Sequence, residues 1–430
     1  MKYSPFLRDS IKTTAWSALG KTFGFLIPFL IAVWFGIGSE TDAFFLAYGI
    51  ILFFSGIFAP VLQSMIVPYV TELKVDKKDI GKFIGKILGN ISLGILAFLG
   101  LSLLVIRNAL PMITDFDRCS LDLVCQLLFE ISPLVIFLVW TSILAGTLNA
   151  YKRFTVPALS PAIRAVVNII VIFSLKTTFG IHSIVIGYIA GEIARLFVLA
   201  LTIKKFNLFR FSLSFRLDSN LWEFYKISFF QALGMVAILF NHTVDKIMAS
   251  WLAQGSVSVL HYADTLQMIP VNLVNTGIMI TILSYWSSIH YEAGKQRLKK
   301  DVNKAAKTIF LVILPLTLFL ILAQKPLVNF VYGRGAFELQ RLPEVGMAWV
   351  CYLIGFVPYV LGQVYVRGLL VLKNTKVLMH AGFYVIFLNF ILNYIMMKFF
   401  GVAGIALSTS FSSVFLLFYL ARAFHMSLTT

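Results

Sequence analysis

The chain has 430 residues, of which 59% are hydrophobic and only 13% charged, with a formal net charge of +17. That balance excludes a water-soluble globular domain of this length. It also makes the basic excess a question of topology before it is a question of nucleic acid, because most of the charges fall between long apolar runs.

Twelve such runs follow one another, at residues 14–36, 44–70, 87–106, 123–150, 157–175, 184–203, 227–253, 257–287, 308–323, 347–372, 377–397 and 403–421. Most approach the roughly 20 residues that a helix needs to cross about 30 Å of hydrocarbon. With no water to satisfy the backbone there, the spans are predicted to be helices. The first run is too long for a cleavable signal peptide, and no small-residue cleavage site precedes the second. The expected fold is an all-α polytopic membrane protein with about twelve transmembrane helices.

With the N-terminus set in the cytoplasm, 24 of the 36 Lys and Arg fall in cytoplasmic segments, seven on the opposite side and five within spans. The excess on one side is the pattern that the positive-inside rule leads one to expect of a chain with both termini in the cytoplasm. Anionic headgroups are the expected contact of this charge, and nucleic acid is not. Cys119 and Cys125 flank the outer start of the fourth span. One bridge between them is feasible, and unpaired thiols are the expected reading.

The longest polar stretches lie at 75–86, 204–223 and 289–307. The middle one divides the chain into lobes of six spans, 1–210 and 211–430. Asn168 and Phe179-Gly180 in and after span five recur as Asn389 and Phe400-Gly401 in and after span eleven, at an offset of 221 residues. Gly38-Ser39 likewise corresponds to Gly255-Ser256. Two parallel repeats around a central cavity are the expected arrangement, with a substrate site near the midplane.

Ionisable residues inside spans are candidate functional groups. Lys21 lies about two turns into span one, where snorkelling and a cavity-facing role both remain open. Asp42 or Thr41 is positioned to cap the second helix. Glu192 and Arg195 stand three apart in span six and share a face. Arg164 follows Pro157 and Pro161, two prolines that suggest a broken or re-aimed helix start. Asn241, His242, Asp245 and Lys246 form the densest polar patch of any span. It reads either as pairing between helices or as a cation or proton site. Asp264 and Pro270 add an acid and an expected bend to span eight. No nucleophile elbow, phosphate-cradling loop or metal-ligand spacing occurs, so no enzyme chemistry, metal or cofactor is expected.

The stretch Thr41-Asp42-Ala43-Phe44-Phe45-Leu46-Ala47 resembles the signature after the first helix of the lipid II flippase family, the mouse-virulence-factor type of the multidrug/oligosaccharidyl-lipid/polysaccharide exporters. So do Asn149-Ala150-Tyr151-Lys152-Arg153-Phe154, Ala253-Gln254-Gly255-Ser256 with Tyr262-Ala263-Asp264, and Tyr332-Gly333-Arg334-Gly335-Ala336-Phe337. The resemblance runs over essentially the whole chain. It implies two six-helix lobes around a cationic cavity and alternating access. It also implies transport of an undecaprenyl-pyrophosphate-linked saccharide from the inner to the outer leaflet of a bacterial cytoplasmic membrane, for peptidoglycan synthesis. Lys21 falls where the family usually has a cavity arginine, and Asp42 matches its motif aspartate.

There are departures. Residues 49–56 carry none of the usual arginines, Pro60 replaces an expected acid, and Thr265 follows the Tyr-Ala-Asp triplet in place of an arginine. The family usually has two further helices. A lysine in place of arginine offers pyrophosphate a point charge instead of a fork. Candidate substrate contacts are thus Lys21, Asp42, Arg164 and Asp264, and candidate ion-coupling residues are Asn241, Asp245 and Lys246. A monomer is expected, working with membrane lipids and with cell-envelope synthesis proteins. Flippases of O-antigen or capsule units, a cation-coupled multidrug exporter and a non-transporting envelope scaffold are the competing readings.

The topology predicts that single cysteines at Lys78 and Lys299 react with a membrane-impermeant maleimide only after the cytoplasmic face is opened. Labelling of either from outside intact cells would overturn it.

Overall fold

In the computed structural model, residues 20, 22–75, 79–208, 219–372 and 374–428 are described, and among them every regular element is helical. In chain order these are α1 (Thr22–Phe35), α2 (Ser39–Val75), α3 (Ile80–Ile113), α4 (Arg118–Ile131), α5 (Pro133–Ala150), α6 (Thr155–Phe179) and α7 (His182–Lys205). There follow α8 (Ser219–Ala249), α9 (Ser256–Leu322), α10 (Gln324–Tyr332), a 3₁₀ turn at Leu339–Arg341, α11 (Leu342–Ile354), α12 (Phe356–Val371) and α13 (Thr375–Ser427).

Each expected span has a helical counterpart, the first only in part because residues before Gly20, and Lys21 itself, lie outside the described residues. Spans four and ten are each built from two helices. The fourth breaks between α4 and α5, where Pro133 has no N–H and the Ser132 hydroxyl donates to the Phe129 carbonyl at 2.9 Å. The tenth breaks at Gly355, between α11 and α12. Helix α10 was not expected. It is short, and it buries Val328 and Tyr332, four residues apart on one face.

Helix starts follow local chemistry. Asp79 caps α3 by accepting from the Lys82 amide at 3.0 Å, and Asp117 caps α4 by accepting from the Ser120 amide. Hydrogen bonds from Ser120 hold the Asp117 carboxyl below its ordinary value. Helix α2 begins at Ser39, ahead of the expected start. Asp42 therefore lies inside the first turn and not at the cap, with its carboxylate still at the positive end of the helix dipole.

The break expected at the start of the fifth span is corrected. Helix α6 is continuous through Pro157 and Pro161. Pro157 sits in the first turn, where no N–H is needed. The carbonyl that Pro161 cannot serve is taken by the Ser160 hydroxyl at 3.0 Å. Helix α9 likewise keeps helical dihedrals at Pro270, and its break comes at Gly294, with φ 74° and ψ −177°.

The chain resolves into two compact units. One comprises the described part of Met1–Phe35 with Ser39–Leu239, the other Gly36–Gly38 with Phe240–Thr430. In the first, α6 packs along α7, and α2 along α4 and α5. In the second, α12 lies between α9 and α13. Phe356, Val360 and Val364 form a stripe on α12 that meets Leu298 and Val302 of α9 and Leu420 and Phe424 of α13. Outward-facing residues such as Leu101, Phe173, Phe197, Phe387 and Phe418 are exposed. Such surfaces are a liability in water and the correct face toward acyl chains.

The two units share a local device. Gly180, between α6 and α7, has φ 51° and ψ −133°; Gly401, inside α13, has φ 56° and ψ −133°. These are the glycines related by the 221-residue offset. Each turns the chain back sharply, so that Asn168 meets Gly187 in one unit and Asn389 meets Thr409 in the other. A methyl group would touch nothing within 4 Å at either glycine, so the dihedral alone demands the residue. Gly180→Ala and Gly401→Ala are each expected to cost about 1–3 kcal/mol. Gly100→Ala, in open space within α3, is expected to be neutral or stabilising. Thermal unfolding in detergent checks this, and equal midpoints for all three variants would refute it.

Candidate functional site

Two buried polar networks stand out, one in each unit. In the first unit Glu192 of α7 is fully buried and shared by two arginines. The Arg195 guanidinium reaches it at 3.0 Å and that of Arg164, from α6, at 3.4 Å. The Thr141 hydroxyl of α5 also donates to this carboxylate. Ser160, already bonded to Pro157, accepts from Arg195 Nε at 3.2 Å. One acid between two bases leaves a net positive charge inside an apolar helix bundle. Arg164 keeps 29% of its side chain exposed, and its Nε has no partner.

Close packing brings these groups together. Gly187 and Gly191 stand four apart on α7, a small-residue pair that lets neighbouring helices approach. A side chain at Gly191 would strike the Arg164 carbonyl, 2.6 Å from where its first carbon would sit. Tyr48 and Tyr188 complete the surroundings, with rings 4.7 Å apart.

In the second unit Asp245 of α8 is buried at 5% exposure. It accepts from the Asn393 amide at 2.6 Å and from the Thr409 hydroxyl at 3.5 Å, both on α13. Asn393 also donates to Asn389 Oδ1 at 3.1 Å, while its own Oδ1 is buried with no partner. Carboxylate, amide and hydroxyl oxygens thus converge with one acceptor unused. The carboxylate is held by an amide N–H and a hydroxyl, both donating, and a proton or a single positive charge could replace them there. Lys246, the next residue, lies within electrostatic reach of Asp264 on α9 instead. Among the described residues neither Asn241 nor His242 hydrogen-bonds Asp245, whose partners are Asn393 and Thr409.

The scattered motifs of the second half meet in one aromatic cluster. Tyr262, Tyr332 and Phe337 have ring centroids 5.2–5.6 Å apart. The Tyr332 hydroxyl donates to the Tyr262 carbonyl at 3.0 Å, and the Tyr262 hydroxyl to the Gly36 carbonyl at 2.9 Å. Asp264 follows two residues after Tyr262. The motif from Thr41 to Ala47 is buried throughout, Asp42 at 2% exposure included.

Of the sequence candidates, Arg164 is therefore joined to Glu192 and Arg195, and Asp245 to residues of α13. Lys246 lies within electrostatic reach of Asp264, Asp42 is buried in the first turn of α2, and Lys21 lies outside the described residues. The sequence reading missed Asn393 and Thr409, and it took Asn389 only as a repeat marker. Two asparagines one turn apart in an apolar span were the available signal. Glu192→Ala should leave two buried guanidiniums uncompensated and cost about 3–5 kcal/mol. A large fall in the detergent melting midpoint is expected for Glu192→Ala and a smaller one for Glu192→Gln; an unchanged midpoint would show the network to be idle.

A family model described as "Lipid II flippase MurJ" matches residues 31–429. The lipid II flippase MurJ of Thermosipho africanus is 28% identical over 416 residues, covering 96% of this chain and 85% of its own. The probable lipid II flippase MurJ of Buchnera aphidicola subsp. Baizongia pistaciae is 25% identical over 426 residues, covering 97% and 83%. A solved lipid II flippase MurJ in an inward closed conformation matches with a TM-score of 0.81 at 28% identity, over 97% of this chain and 87% of that one. An inward-facing multidrug transporter of the MATE family matches with a TM-score of 0.77 at 12% identity, over 97% of this chain and 94% of that one; this is a likeness of fold. With nearly the whole chain matched and an all-helical, multi-pass architecture in common, the protein belongs to the MurJ lipid II flippase family.

Proposed function

We propose that the protein moves lipid II, an undecaprenyl-pyrophosphate-linked saccharide, from the inner to the outer leaflet of the bacterial cytoplasmic membrane by alternating access. The observation that carries this reading is the family match over residues 31–429. The charge pattern supports an orientation with both termini in the cytoplasm. In this reading residues 1–210 and 211–430 form the two lobes.

The chemistry follows from the cargo. A pyrophosphate carries negative charge that hydrocarbon rejects, so its path needs water and fixed cations. Lys21 and Arg164 are the proposed cations. Glu192 and Ser160 keep Arg195 occupied, while Arg164 retains an unpartnered Nε and part of its surface free. Asp42 and Asp264 are proposed to shape the path rather than to hold the phosphates, because like charges repel.

Energy is proposed to come from the membrane. An inside-negative potential favours outward movement of an anion, by about 2.3 kcal/mol per charge per 100 mV. The Asp245 network is the proposed coupling site for a monovalent cation or proton, supported by the unused Asn393 Oδ1. Binding there would replace the amide hydrogen bonds that now hold the carboxylate, and Lys246 and Asn241 would tune its field. Cell-envelope synthesis proteins are the proposed consumers of the product.

The test is rescue of a bacterium depleted of its own lipid II flippase. The native chain is expected to restore growth and clear accumulated precursor, while Lys21→Ala and Asp245→Asn fail to do so at equal membrane abundance. Failure of the native chain would refute the reading. Full rescue by a variant would remove that residue from the mechanism.

A further inference from the structure

A cavity of about 840 Å³ opens in the first unit between α2, α3 and the first part of α8. Its contents are sorted by chemistry. Phe58 of α2, Phe98 of α3 and Trp222 and Phe229 of α8 supply aromatic walls. The polar lining is concentrated on α8, in Tyr225, Lys226 and Ser228, with Asn90 opposite on α3.

These polar groups form a graded series. Lys226 is exposed, Tyr225 is partly buried, and Ser228 is buried at 7% exposure. The Tyr225 hydroxyl and Ser228 Oγ are both buried without a hydrogen-bond partner. Asn90 has spent its amide on the Lys86 carbonyl at 2.9 Å. Among the described residues no acid lines the cavity. A buried hydroxyl without a partner is costly, so two of them beside a cation call for a ligand rich in acceptors.

We propose that this cavity binds one anionic glycerophospholipid from the surrounding bilayer. Its phosphate lies at Lys226, its ester carbonyls accept from Tyr225 and Ser228, and an acyl chain runs along Phe58, Phe98 and Phe229. An exposed ammonium for the phosphate, two buried hydroxyls for the ester carbonyls and the outward-facing rings of Phe98 and Phe229 for the acyl chain match the three parts of such a lipid. A polyprenyl phosphate has no ester carbonyls beyond its phosphate, and so lacks the two acceptors that the buried hydroxyls call for. The lysine selects net negative headgroups over zwitterionic ones. This site is independent of the transport reading.

Two substitutions probe it. A first side-chain carbon at Gly94, which lines the cavity, meets nothing within 4 Å, so Gly94→Phe directs a ring into the space from an unobstructed start. Lys226→Gln alters only an exposed charge. The full chain in detergent is titrated with phosphatidylglycerol or phosphatidylcholine, each brominated on its acyl chains. The Trp222 contribution is isolated by subtracting the quenching seen in Trp222→Phe.

Phosphatidylglycerol is expected to quench at about fivefold lower concentration than phosphatidylcholine, the preference one lysine near a headgroup supports. Lys226→Gln should erase that difference, and Gly94→Phe should abolish the high-affinity phase. Equal quenching by both lipids overturns the proposal, as does a response unaffected by Gly94→Phe. Displacement of phosphatidylglycerol by unbrominated polyprenyl phosphate at equal or lower concentration overturns it too, by assigning the cavity to a prenyl chain. If Gly94→Phe does not fold, the Lys226→Gln comparison still decides.

Discussion

Within a bilayer a polar atom has only the protein to bond to, and this constraint organises the chain. It explains why the backbone is helical wherever it is regular. It also explains why the few charged groups inside the spans occur in sets. Glu192 would be untenable alone in the bundle, and each arginine beside it equally so. Together with Thr141 and Ser160 they form a unit that is nearly closed. Ser160 serves two needs at once, taking the carbonyl left by Pro161 and accepting from Arg195. A proline in a membrane helix is thereby absorbed, and the same hydroxyl anchors a charge.

The two halves keep a common plan while differing in what they bury. Gly180 and Gly401 share their dihedrals almost to the degree, and Asn168 and Asn389 recur on the helices that lead to them. At the positions of Arg164 and Glu192, however, the second half has Val385 and Ser413. It places its own carboxylate, Asp245, on a different helix. The first unit thus buries two arginines with one acid, and the second an acid held by an amide and a hydroxyl. A carrier that handles an anionic cargo and a driving cation can use that division, one unit for each charge.

Much of this was legible in the sequence. Span lengths follow from apolar run length, which the bilayer fixes directly, and the Glu192–Arg195 pair follows from helical spacing. The repeat offset was visible because glycine and asparagine are rare enough in apolar spans to register. Other features were not legible, for definite reasons. Asn393 and Thr409 meet Asp245 across 148 and 164 residues, and local pattern carries no information about such distances. The prolines of α6 suggested a break because the sequence does not reveal which hydroxyl will replace the missing donor. Tyr262, Tyr332 and Phe337 looked like separate motifs, and only the fold makes them one cluster.

The sharp turn at Gly401 bears on how the protein is made. Spans eleven and twelve are joined by a single non-helical residue, and the nearest charge is Lys398. There is no connecting segment to be threaded through the membrane separately. If the termini lie in the cytoplasm, as the charge pattern leads one to expect, the chain is best inserted there as a preformed helical hairpin whose tip carries one ammonium group across. Glycine at this position makes assembly inexpensive as well as geometry permissible: a bulkier joint would have to be translocated in an extended form, with its peptide groups exposed to lipid on the way.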